Sequence, residues 1–331
     1  MSSLERAWYG PRRWLWLLWP VQALMRVLVA FRRRAYRLGW FASFRVRVPV
    51  IVIGNITVGG TGKTPLTAFV IKQLQAMGYR PGIISRGYGG KAPFYPFAVT
   101  ANIAADLCGD EPLLLARQTQ VPVIVDPDRV RGAQALCEQA CDVIVSDDGL
   151  QHYRLQRDIE IAVIDAVRQV GNGWLLPAGP LREPLSRLQQ VDIRVANGPA
   201  IPMLGEHGMR LQMSVVQSLN GAPAQDIKSW QGKRVHAVAG IGNPERFFRQ
   251  LEALGLTVER HAFPDHYFYQ AADFAWRDAA IVMTEKDAVK CQTLNLPDAW
   301  YVPVEAELSP AFIELLQTKL SAVNSKRKLS K

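Results

Sequence analysis

From residue 48 onward, the apolar positions switch repeatedly between two periods. Residues 48–53 form a short β-branched run. Residues 64–77 then place Leu66, Phe69, Val70, Leu74 and Met77 on one helical face, with Gly78 as a stop. The same alternation predicts strands over 82–85, 121–126, 143–146 and 159–165, and helices over 111–118 and 129–140. Strands separated by helices imply an α/β fold with a parallel, doubly wound sheet, whose ligands bind at the strand C-termini. Around 209–219 the pattern becomes the polar/apolar alternation of a hairpin-like ribbon. A second, smaller α/β unit starts near Arg234, with strands over 235–239, 258–262 and 281–284 and a helix over 244–254. The expected division is an N-terminal helical segment 1–45, a main domain 46–204, a β-ribbon linker 205–232 and a smaller α/β domain 233–331.

The N-terminal segment has a different pattern. Residues 14–30 are nearly all apolar, broken by Gln22 and Arg26. Seventeen helical residues reach roughly 26 Å, short of the about 30 Å of a bilayer core. Pro20 is expected to kink the helix. Gln22, Arg26, Arg33 and Arg37 fall on one face, and Trp14, Trp16 and Trp19 suit the headgroup level. This describes an amphipathic helix lying on a membrane better than one that spans it. No small-residue cleavage site follows, so a secretory leader is not expected.

Charge supports that picture. The net charge is +10, yet residues 1–50 hold ten Arg against one Glu, and Lys326, Arg327, Lys328 and Lys331 add a basic tail. The rest of the chain is slightly acidic. A basic stripe on an acidic body argues against a nucleic-acid partner and fits the anionic cytoplasmic leaflet of a membrane. The four cysteines form no C-x-x-C, and no Cys/His pair stands at zinc spacing, so buried thiols in a reducing compartment are expected.

Thr57-Val58-Gly59-Gly60-Thr61-Gly62-Lys63-Thr64 joins a strand to a helix, which is the context a P-loop requires. Its glycines let backbone N–H groups turn toward phosphate oxygens. Lys63 can reach the β- and γ-phosphates, and Thr64 can bind Mg²⁺. Thr57 stands where the standard pattern has Gly, and the extra glycine at Gly59-Gly60 compensates. Val143 to Ser146 is an apolar strand ending at Asp147-Asp148, a Walker B-like pair for the metal; which of the two touches it stays open. No N-K-x-D loop for guanine is present, so the expected nucleotide is ATP.

On the acceptor side, Asp110 is either a helix cap or a general base that takes a hydroxyl proton. His266, after a strand of the second domain, is either structural or a partner that orients an aspartate and raises its basicity. Arg86 and Arg182 each sit in a turn that could face the phosphates, or only brace the fold. An ATPase switch and a cytosolic small-molecule kinase share the P-loop. The first predicts nucleotide-dependent dimerisation or a metal site, and the sequence lacks a Cys/His cluster for the latter; the second would not need the tryptophan-rich basic helix.

These segments in this order resemble the tetraacyldisaccharide 4′-kinase family, the lipid A 4′-kinases of Gram-negative bacteria. The likeness rests on residues 54–65, 85–89, 109–112, 147–152, 177–183, 265–266 and 284–290. It implies a cleft between two α/β domains, where ATP and Mg²⁺ phosphorylate the 4′-hydroxyl of a tetraacylated glucosamine disaccharide 1-phosphate. It implies Asp110 as base with His266 as its partner, Lys63 and Thr64 on the nucleotide, and Asp147 or Asp148 on Mg²⁺. Arg182 would steady phosphate charge, and Arg86, Tyr88, Glu111, Gln151 and His152 would lie toward the substrate. It also implies an enzyme of the inner membrane's cytoplasmic face, peripheral or monotopic; a monomer is expected. Residues 200–230 and 305–331 carry little of the likeness.

Overall fold

The structure, a computed structural model, describes residues 3–10 and 13–329. Two sheets organise it. The larger contains β1 (Val50–Gly54), β2 (Pro81–Ser85), β3 (Phe97–Val99), β4 (Val123–Val125), β5 (Val143–Asp147), β6 (Ile159–Asp165), β7 (Ile193–Asn197) and β8 (His207–Gln212). The smaller contains β9 (Val215–Ser218), β10 (Gln225–Asp226), β11 (Arg234–Ala239), β12 (Thr257–Ala262), β13 (Ala280–Thr284) and β14 (Ala299–Val302). The last strand, β15 (Glu305–Leu308), returns to the larger sheet beside β8. The larger sheet runs in the order β15-β8-β7-β6-β1-β5-β2-β4-β3. Its centre is parallel and only its two edge pairs are antiparallel.

The central strands are β-branched runs buried on both faces, as a covered parallel sheet requires. The helices are α1 (Ser3–Trp8), α2 (Trp19–Arg37), α3 (Lys63–Ala76), α4 (Ala105–Cys108), α5 (Asp110–Thr119), α6 (Arg129–Glu138), α7 (Pro244–Ala253), α8 (Glu285–Cys291) and α9 (Pro310–Leu329). Alternate residues of β1 feed opposite cores. Ile51 and Ile53 pack with Leu66, Leu113 and Phe312 of α3, α5 and α9, while Val50 and Val52 pack with Leu136 of α6.

Three expectations change here. Residues 305–329 do not stay with the smaller unit: β15 extends the larger sheet, and Phe312, Leu316 and Leu320 complete its core. The ribbon is a pair of crossings, β8 into β9 and β14 back into β15, with β8 antiparallel to β15 and β9 to β14. A linker read only from 205–232 misses half of it, because the partner strand lies some 90 residues further on. Pro20 does not lie in the interior of the α-helix. It occupies the first turn of α2, where its missing N–H costs nothing, and Arg13–Leu18 before it is a 3-10 turn.

α2 lies on the larger domain with its polar side inward. Gln22 is buried, Arg32 Nη2 donates to Gln151 O at 3.1 Å, and Arg33 Nη2 donates to Gln190 Oε1 at 2.5 Å. Trp16, Trp19, Leu24, Val27, Leu28 and Phe31 face outward, each more than half exposed. By length and composition Trp14–Arg37 could also cross a membrane. In the basic tail, Arg327 is docked on Asp158 and the Val46 carbonyl, so it is not free for lipid; Lys331 lies outside the described residues. All four cysteines are buried thiols.

Candidate active site

The cleft, about 1420 Å³, opens at the C-terminal ends of β1, β5 and β2 and is closed from above by the smaller domain. β1 delivers the chain into the P-loop, which ends at Gly62 with φ +93° as the N-cap of α3. Only glycine fits there. The backbone is left-handed, and a Cβ would stand 2.4 Å from Asn197 Nδ2. That amide holds the loop by donating to Thr61 O at 3.0 Å, and Arg246 Nη2 of α7 donates to Asn197 Oδ1 at 2.6 Å. Asn55 Nδ2 donates to Thr61 Oγ1 at 3.1 Å.

Gly59, Gly60, Thr61, Gly62, Lys63 and Thr64 all line the cleft. Thr57 and Val58 do not. The Val58 N–H donates to Pro180 O at 2.8 Å and Thr57 bridges to Leu181, so both tie the loop to the 177–183 turn. That turn brings Arg182 to the wall.

Asp147 and Asp148 end β5 beside the P-loop and differ in environment. Asp148 Oδ1 lies 3.6 Å from Lys63 Nζ, and its Oδ2 lies 3.1 Å from Arg182 Nη1. Burial opposes its ionisation, but Lys63 and Arg182 outweigh it and hold its pKa below the ordinary range. Asp147 is fully buried and accepts from Thr67 Oγ1 at 3.1 Å. Burial, and then the charges of Glu111 and Asp148, push it up to about 7. A buried carboxyl crowded by two others, with Thr64 lining the same cleft, is a set of hard oxygen donors. It fits a hard divalent cation such as Mg²⁺.

The 109–111 turn and the smaller domain meet across the cleft. Gly109, with φ +89°, caps α5, so Asp110 begins the helix rather than capping it. Asp110 Oδ1 accepts from the Glu111 N–H at 2.9 Å, and its Oδ2 lies 3.0 Å from His266 Nδ1. Tyr88 packs over the His266 ring, with centroids 5.0 Å apart. His266 lines the cleft, while Asp110 stands behind it, 5% exposed. The pair does not act in the direction expected of it. Burial disfavours the Asp110 carboxylate, but the His266 hydrogen bond and the Lys286 charge prevail and lower its pKa. The same bond raises the pKa of His266.

Lys286 escaped the sequence reading as a site residue. Its Nζ lies 3.0 Å from Glu111 Oε1, 3.1 Å from Asp265 Oδ1 and 3.8 Å from Asp110 Oδ2. Burial opposes its charge, yet the three carboxylates raise its pKa overall. Arg129 was missed too. It is fully buried, donates from Nη2 to Asp147 O at 2.9 Å, and leaves Nη1 unpartnered at the cleft wall. Its place, opening α6 after Asp126-Pro127-Asp128, was the only local signal. Arg86 lines the cleft. Gln151 Nε2 donates to Asn55 O and to Glu183 Oε2, both at 3.0 Å, which braces the strand before the P-loop. His152 lines the cleft with Nε2 unpartnered; burial, then Arg129, push it down to about 4, so it is neutral at pH 7.

The family model for tetraacyldisaccharide-1-P 4′-kinases matches residues 14–321. The chain belongs to that family. It is therefore a kinase, a phosphotransferase. Its relatives include the tetraacyldisaccharide 4′-kinase of Nitrosococcus oceani, 49% identical over 94% of this chain and 92% of that one. That of Hahella chejuensis is 45% identical over 99% of each. Among solved structures, an "apo" form of LpxK from Aquifex aeolicus in complex with ATP is 27% identical. It superposes with a TM-score of 0.78, covering 92% of this chain and 99% of that one. The family resemblance and the α/β fold expected from the sequence both hold.

Proposed function

We propose that the chain transfers the γ-phosphoryl group of ATP to the 4′-hydroxyl of a tetraacylated glucosamine disaccharide 1-phosphate, an intermediate of lipid A. It does so with Mg²⁺, as a monomer on the cytoplasmic face of the inner membrane. The observation that carries this reading is that one cleft joins a phosphate cradle ending in Lys63 to the Asp110–His266 pair contributed by the two domains.

In this reaction the acceptor oxygen forms a bond to the γ-phosphorus, the bond to ADP breaks, and the hydroxyl proton passes to the Asp110–His266 pair. The loop amides and Lys63 orient the phosphates. Arg182 offers charge to the moving phosphoryl group. Thr64, Asp147 and Asp148 are the residues to hold Mg²⁺, which supplies neutralisation of phosphate charge when bound. Closing the two domains over ATP would exclude water and disfavour its hydrolysis. Arg86, Tyr88, Glu111 and His152 stand on the remaining wall for the sugar and its phosphate.

The family reading makes Asp110 the base. The position of Asp110 behind His266 supports a second reading, in which His266 Nε2 meets the hydroxyl and Asp110 orients it. The outward apolar face of α2 supports membrane docking. A four-chain acceptor is held in the bilayer by about 0.8 kcal/mol per buried CH₂, so the enzyme must come to it.

The test is phosphoryl transfer from γ-labelled ATP with Mg²⁺ to a tetraacyl disaccharide 1-phosphate in mixed micelles. The expected result is labelled lipid, lost in Asp110→Asn. ATP hydrolysis without labelled lipid would replace this reading with an ATPase switch.

A further inference from the structure

The smaller sheet carries a second cluster of titratable side chains, none of which lines the cleft. β11 and β12 run parallel, with His236 opposite Glu259 and Val238 opposite His261. Residues two apart on a strand share a face, so His236, Glu259 and His261 project from the same side. Trp276 covers them, stacked on His261 at 3.7 Å and on His236 at 5.0 Å between ring centroids. Three ligand atoms close into a triangle. His236 Nδ1 lies 3.0 Å from His261 Nε2, and Glu259 Oε1 lies 3.7 and 3.9 Å from these two nitrogens.

Neighbouring groups fix the orientation of the triangle. His236 Nε2 meets Asp278 Oδ1 at 2.8 Å. A neutral imidazole that donates its Nε2–H there presents an unprotonated Nδ1 to the triangle. Arg234 binds Glu259 Oε2 at 2.7 Å and Asp278 Oδ2 at 2.8 Å. The other oxygen of each carboxylate is thereby turned toward the imidazoles. Nitrogen and oxygen ligands at about 2.0–2.1 Å from a tetrahedral zinc ion stand about 3.3–3.4 Å apart. The observed edges bracket that spacing, so occupancy needs shifts of only a few tenths of an ångström. A cation bound there would take the place of the His236 Nδ1···His261 Nε2 contact of 3.0 Å.

We propose that His236, Glu259 and His261 bind a divalent transition-metal ion of the zinc class, with Asp278 and Arg234 as positioning residues. Two imidazoles and a carboxylate select such an ion over Mg²⁺, whereas the all-oxygen set in the cleft does the reverse. Glu259, the least buried of the three, provides the entry side. The bound ion ties edge strand β12 to β11 just before the segment that carries Asp265 and His266 into the cleft. Its role is structural and does not depend on the phosphoryl acceptor.

The experiment uses the full, untagged, metal-stripped protein. Co²⁺ is titrated against visible absorption, and Zn²⁺ is then used to displace it. One saturable equivalent with a tetrahedral Co²⁺ spectrum is expected, unchanged in Asp147→Asn. His261→Ala and Glu259→Gln, checked for fold by circular dichroism, should weaken binding beyond the about 100-fold that loss of an outer partner can cause. Asp278→Asn should retain the spectrum and weaken binding by about 10-fold. Absence of a saturable equivalent in the parent protein, or full binding by folded His261→Ala, would overturn the site. Unchanged affinity in Asp278→Asn would overturn its positioning role.

Discussion

At the scale of single residues, the cleft sets opposite charges at short range. Lys63 is the clearest case, since it lines the cleft and meets Asp148 at 3.6 Å. Lys63→Ala should lower kcat by about 100-fold or more, the usual cost of one preorganised donor, with an unchanged thermal melt; near-parental turnover would remove the loop lysine from the mechanism. The Asp110–His266 pair makes a prediction with a sign. If His266 receives the proton it must first be neutral, so kcat rises with pH through a pKa above its ordinary 6.5. If Asp110 receives it, that carboxylate is already ionised above its ordinary 3.8, and the profile is flat from pH 5 to 8. A pH–rate profile of the parent and of His266→Gln separates the two. The motif residues were legible because each sits in a local pattern with its own chemistry. Lys286 lies in one of those segments, yet its role was not legible, because its partner Glu111 is 175 positions away.

At the scale of elements, α2 and α9 show how similar apolar content is put to different uses. α2 turns its apolar face out and commits Arg32 and Arg33 to the body, so the proposed membrane docking would rest on the exposed tryptophan, leucine and phenylalanine side chains rather than on every arginine. Replacing Leu28 and Phe31 by Asp should weaken binding to anionic vesicles by about 10-fold or more, while leaving turnover on a detergent-dispersed acceptor intact; sedimentation with vesicles reads the result. α9 buries Phe312, Leu316 and Leu320 against the larger sheet. Leu316→Ala should cost about 2–5 kcal/mol in urea unfolding, as a core cavity does. A negligible cost would mean the C-terminal helix is dispensable to the main domain. The sequence reading placed this segment in the smaller domain because order along the chain does not record which domain buries a segment.

At the scale of the molecule, two domains linked by a double crossing meet over the P-loop. Gly242 of the smaller domain approaches so closely that a Cβ there would stand 2.7 Å from Gly60 N. Arg246 to Asn197, Lys286 to Glu111, Gln118 to Glu285 and His266 to Asp110 are polar contacts between the two domains. Gly242→Val should hold the domains apart. It is expected to lower kcat/KM by about 10- to 100-fold, since a displacement of about 1 Å costs that much, with normal melting. Full activity would mean that closure at this point is not needed for transfer.

The amino-acid order by itself determined the strand–loop–helix units, the glycine-rich phosphate cradle, the carboxylates after β5 and the amphipathic N-terminal helix. Each depends on periodicity or backbone freedom within about a dozen neighbouring residues, and such preferences act before any tertiary contact forms. The tertiary structure decided which distant groups share the cleft: Lys286 between three carboxylates, Arg129 beneath Asp147, and His266 in front of Asp110. It also decided that the chain's last strand and helix rejoin the first domain. These outcomes depend on packing two sheets across a long loop of sequence, where burial and charge select the partners and local pattern carries no record of them.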